Sequence, residues 1–143
     1  MNKIFLLLLL INSNILHAEL AGDFEKTKGP LACSVGQLKI KINEKAKERI
    51  VLFGSQLSWT LTLENKGESK EITDGGCTYD VSYEKKENEL SVKTLRTKCP
   101  IVSENGVINE SLNLNADKLT YSFEFVSQNK QRNSYSCNYL KKK

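Results

Sequence analysis

The chain has 143 residues, with 21 Lys plus Arg against 17 Asp plus Glu for a formal charge of +4, four cysteines and a single histidine. One domain is the natural count at this length. The two charge signs are interleaved, as in "NEKAKER" and "ESKE", which marks a solvated surface rather than a phosphate-tracking groove, so no nucleic-acid partner is expected.

The N-terminus reads "MNKIFLLLLLINSNILHAEL": Lys3, an unbroken apolar run from Ile4 to Ile11, then polar residues and Ala18. This is the layout of a secretory signal peptide, with an apolar core too short to span a bilayer. The expected division is a signal peptide over 1–18 and a single all-β domain over 19–143. The protein is then secreted or periplasmic, monomeric and without a transmembrane segment in its mature chain. Cleavage removes Lys3, leaving 20 Lys plus Arg against 17 Asp plus Glu, and it removes His17, the sole histidine. Without imidazole the commonest general base and metal ligand is lost, and neither a Ser-His-Asp nor a Cys-His arrangement can form. A Ser-Lys dyad needs a desolvated lysine, and every lysine here lies in a polar stretch. The reading is a binding protein without catalytic activity or cofactor.

Just past Ala18 stands "LAGDFEK". Gly22-Asp23-Phe24 resembles the Gly-x-Trp opening of lipocalins and other calycin barrels, with Phe in place of Trp and no Thr-Asp-Tyr motif further on. In that superfamily the motif begins the first strand and its ring plugs the base of the barrel. The resemblance implies a small barrel with a small apolar ligand inside.

Further along, strict alternation recurs. "QLKIKIN" puts Leu38, Ile40 and Ile42 on one face; "LSWTLTLE" does so with Leu57, Trp59, Leu61 and Leu63; "KLTYSFEFVS" with Leu119, Tyr121, Phe123 and Phe125. Period two with one apolar face means half-buried antiparallel strands. "NEKAKER" has the flavour of a single helical turn. "NKGE", "DGG", "ENG", "NAD" and "QNKQRN" supply turn chemistry at short intervals. About eight to ten short strands at this spacing predict an up-and-down antiparallel barrel, with a β-sandwich as the alternative.

The segment Cys77 to Cys99 carries a cysteine at each end of a hairpin. Cys77, Tyr79, Val81 and Tyr83 share a face, and Leu90 and Val92 match it on the return. From Leu95 the parity changes to Leu95, Thr97 and Cys99, which predicts a bulge near Lys93 or Thr94. With the turn centred on Glu87 and Asn88, Tyr83 faces Val92 and Cys77 faces Cys99, within disulfide reach. That favours Cys77 with Cys99 and leaves Cys33 with Cys137; the sequential pairing, Cys33 with Cys77 and Cys99 with Cys137, stays open. The wide spacings do not suit zinc, and no metal site is expected.

Asp74, Asp80, Glu110 and Glu124 read as solvated carboxylates on outward strand faces or in turns. The candidate ligand-binding set is Trp59, Tyr79, Tyr83, Tyr121, Phe123 and Tyr135, inward aromatics that either line a cavity for a small apolar ligand or pack as core. The competing function is an extracytoplasmic protein-interaction or inhibitor module working through loops or a sheet face.

Overall fold

The structure, a computed structural model, describes residues 20–31, 33, 36–68 and 72–143; the signal segment over 1–18 and its cleavage point lie outside them. The described residues form one antiparallel sheet: β1 (Gly22–Lys28), β2 (Gln37–Asn43), β3 (Glu48–Phe53), β4 (Gln56–Thr62), β5 (Lys66–Glu68), β6 (Ile72–Asp74), β7 (Cys77–Lys86), β8 (Glu89–Thr97), β9 (Gly106–Asn115), β10 (Lys118–Ser127) and β11 (Arg132–Lys141). Neighbours run β4-β3-β2-β1-β11-β10-β9-β8-β7-β5, and β6 pairs β7 beyond the end of β5. β5 and β6 therefore share one position, and the up-and-down meander fills ten positions of a nearly closed barrel.

Strand alternation follows the apolar pattern. Phe24, Leu38, Ile40, Val51, Leu90, Val92, Leu112, Leu114 and Leu119 are each 2% exposed or less and belong to a single buried cluster. Their chain neighbours, such as Lys41, Lys93 and Asn113, are exposed. β1 begins at Gly22, and the Phe24 ring is fully buried in the cluster.

Tight turns join most strands. Asp74 pairs with Cys77 across Gly75 and Gly76, both at positive φ (58° and 83°), the backbone a two-residue hairpin loop demands. The Asn43–Glu48 connection is a turn rather than a helical turn, closed by the Ala46 amide donating to Asn43 Oδ1 at 3.1 Å. "NKGE", read from sequence as a turn, is strand β5. Gly67 lies opposite Tyr83, and a Cβ there would run into the Tyr83 ring and hydroxyl, while Lys66 pairs with Glu84 at 3.1 Å.

The β7–β8 hairpin corrects the sequence reading in one respect. Its register is continuous from Lys86 opposite Glu89, through Tyr83 opposite Val92, to Thr78 opposite Thr97, with no bulge near Lys93 or Thr94. Leu95 consequently points outward and is 41% exposed. Arg96 takes the place opposite Tyr79, with its guanidinium 5.8 Å from the ring centroid. The extra residue is Lys98, at φ 56° just past the end of β8, and it swings Cys99 toward Cys77. Bulges occur instead where the register shifts between Lys26 and Lys28 of β1 and between Val51 and Leu52 of β3.

Two disulfides are present among the described residues, Cys33–Cys137 with Cα atoms 5.8 Å apart and Cys77–Cys99 at 4.1 Å. By loop-closure entropy the shorter contributes about 3.4 kcal/mol and the longer up to about 4.7, not additively because the loops are nested. The longer pins the β1–β2 connection to β11. The first and last described strands meet by hydrogen bonding, since β1 pairs both β2 and β11, so the barrel's open seam falls between β4 and β5. Across it the Thr62 and Tyr83 hydroxyls are in contact, while the Leu63 amide, donating to the Lys47 carbonyl at 2.9 Å, extends the β3–β4 pairing.

Candidate functional site

Gly67, Tyr83, Val92, Glu110, Phe123 and Tyr135 lie opposite one another in successive strands β5, β7, β8, β9, β10 and β11. The side chains of this row point into the barrel, whereas the residues flanking it on each strand, Lys66, Glu84, Lys93 and Glu124 among them, point outward and line a concavity of about 880 Å³ on the outer face of the sheet. Accessibility divides the row. Val92 and Tyr83 are 1% and 8% exposed, whereas Glu110, Phe123 and Tyr135 are only half-buried. The surface open to a ligand is therefore the Glu110 end.

The sequence-derived aromatic set splits accordingly. Tyr83, Phe123 and Tyr135 belong to this row; Trp59, Tyr79 and Tyr121 do not. Trp59 and Tyr121 are core side chains, 9% and 6% exposed. Tyr79 sits at the far end of β7 against Arg96, whose Nη2 donates to Glu104 Oε2 at 2.7 Å. The rings nonetheless form one connected series: Trp59 edge-on to Phe53 (6.2 Å), Phe53 tilted on Tyr121 (4.8 Å), Tyr121 edge-on to Tyr135 (6.2 Å), and Tyr135 stacked on Phe123 (4.9 Å). Offset and edge geometries of this kind hold ring orientation as well as burying area.

Glu110 is the residue that sequence reading misplaced. The sequence places it on an outward face or in a turn, but it has the parity of Leu112 and Leu114 and faces inward with them. Tyr121 Oη donates to Glu110 Oε1 at 2.6 Å, and the Trp59 indole N–H donates to the same carboxyl. Burial pushes its pKa above the usual carboxylate range, against these two hydrogen bonds, which favour the charged form. Burial, together with the carboxyl of Glu110 next to it, also pushes the Tyr121 hydroxyl up, so that group stays neutral. The signal for Glu110 was in the sequence: "INESLNL" alternates Ile108, Glu110, Leu112 and Leu114.

The carboxylates of Glu84 and Glu124, on the outer face, are solvated and paired. Glu84 bridges Lys66 and Lys86, both at 3.1 Å, which hold its pKa below the usual value. Glu124 pairs with Arg132 at 3.2 Å and accepts from Asn109 at 3.2 Å. Cys77, Cys99 and Glu104 cluster at the other end of the hairpin, but the two sulfurs are bonded to each other and cannot serve as thiolate ligands.

Comparison with protein-family models, with curated proteins and with solved structures found no match.

Proposed function

We propose that the protein is an exported, non-catalytic binding protein that takes a small, largely apolar ligand against the Phe123–Tyr135 face of its barrel, in the manner of calycin carriers. The observation that carries this reading is a half-buried stacked aromatic pair, Phe123 on Tyr135, beside the Glu110 carboxyl on the inner face of the barrel. Partly exposed aromatic faces offer a ligand burial area and stacking that a packed core has already used. Export is supported by the two disulfides, with no free cysteine among the described residues. No helix among them is long and apolar enough to cross a membrane.

Titration with Nile red, a neutral solvatochromic dye, tests the reading. The expected result is a saturable blue shift that weakens at least about tenfold in Phe123→Ala/Tyr135→Ala. A dye that is not bound, or is bound equally by the double variant, overturns it.

A second reading, a protein-interaction or inhibitor module, draws on the apolar side chains Leu95, Ile101 and Val102, which are 41%, 58% and 62% exposed on β8 and the connection after it. Loss of Nile red binding combined with partner capture that depends on Ile101 and Val102 would put this reading first.

A further inference from the structure

We infer that the ligand is a small organic cation: an aromatic or aliphatic body bearing one ammonium-type charge, which Glu110 neutralises while the faces of Phe123 and Tyr135 hold the body. This names the ligand class of the site proposed above and rests on that reading.

Two observations converge. First, among the described residues the hydrogen-bond partners of Glu110 are neutral donors, Tyr121 and Trp59, whereas Glu84 and Glu124, on the outer face, are already paired with cations. A half-buried carboxylate whose partners are all neutral has its desolvation only partly offset, and a cation arriving beside it completes the pair. Second, the rings that accompany it present π faces. Phe123 and Tyr135 are stacked at 4.9 Å and Tyr121 lies edge-on to Tyr135 at 6.2 Å. A positive centre within about 6 Å of such a centroid is attracted by the ring quadrupole, more strongly where water is excluded. An anionic ligand would meet the charge of Glu110, and a neutral one would bury the carboxylate further without pairing it.

The pH dependence follows from the groups that face Glu110. β10 contributes Tyr121, β11 Tyr135, β4 Trp59 and β8 Val92, and β3 contributes Arg49, also buried inside the barrel, whereas Lys93, Glu84, Lys66 and Glu68 lie on the outer face. Tyr121 remains neutral because its pKa is raised, and Glu84 titrates below the usual carboxylate range. Loss of cation binding between neutral pH and the acid side therefore tracks protonation of Glu110, which sets in above the usual carboxylate range.

The test is calorimetry with phenyltrimethylammonium, with tert-butylbenzene as its uncharged isostere, and with benzoate. At about pH 8 the ammonium should bind at least about tenfold more tightly than tert-butylbenzene, with benzoate weakest; at about pH 4 the preference should vanish. Glu110→Gln should lose the preference while still binding tert-butylbenzene. If that variant does not fold, the comparison of the two pH values in the unaltered protein decides the same question. Equal affinity for ammonium and isostere at about pH 8 overturns the cation inference but leaves the small-ligand reading standing. Absence of binding by all three probes and by Nile red overturns both.

Discussion

Glu110 occupies a position where its strand would otherwise place another apolar side chain, between Val92 of β8 and Phe123 of β10. Its carboxyl is protonated more readily in the folded protein than in the unfolded chain, because burial disfavours the charge more than Tyr121 and Trp59 favour it. The stabilising contribution is therefore fully present below the ordinary carboxylate pKa and is lost as pH rises through the raised value. Glu110→Gln keeps an acceptor for Tyr121 and removes the charge. It should melt at a higher temperature than the unaltered protein near pH 8, and that advantage should disappear near pH 4 in paired thermal scans. An advantage of equal size at both values would assign the effect to packing rather than ionisation.

The β7–β8 hairpin shows how much turns on one residue of register. Moving the extra residue from inside β8 to Lys98 exchanges Leu95 for Arg96 on the inner face. It also leaves Cys99 near Cys77 by a backbone turn rather than by direct cross-strand opposition. Substitutions on the two faces should differ accordingly. Leu95→Lys should change stability by less than about 0.5 kcal/mol, whereas Val92→Ala, at a 1% exposed position, should cost about 2 kcal/mol through the cavity it leaves. Denaturant unfolding of the two variants checks this, and a large loss at Leu95 would restore the bulged register. At the same end of the hairpin, the Cys99 amide donates to Asn105 Oδ1 at 2.9 Å, and Arg96 holds Glu104. These bonds tie down a connection that would otherwise carry Ile101 and Val102 freely.

At the scale of the molecule, stability is distributed unevenly around the barrel. β8, β9 and β10 are each paired along both edges by strands of nine or ten residues. β4 and β5 each have one paired edge, and β5 is three residues long. Amide hydrogen exchange should therefore be fastest in β4, β5 and β6 and slowest in β8 to β10, since local opening is cheapest where few bonds must break. Uniform protection around the ring would mean that the seam is closed in solution. This seam lies beside Tyr83, so opening it would also loosen the closed end of the binding row.

The sequence by itself determined the strand class, the up-and-down order and the apolar face of most strands, because alternation of Leu38, Ile40, Leu119 or Tyr121 with polar neighbours is a local property that only a half-buried strand satisfies. It also made the aromatic row legible as inward-facing. Tertiary structure alone decided three things. It placed the closure at β1–β11 and the seam at β4–β5, because pairing between strands distant in the chain depends on how the whole sheet curls. It sorted the aromatics into core and lining, because exposure of Phe123 and Tyr135 depends on which strands stand across from them. And it turned Glu110 from one carboxylate among many into a half-buried group held by neutral donors, because Trp59 reaches it from a strand that no spacing in the chain relates to β9.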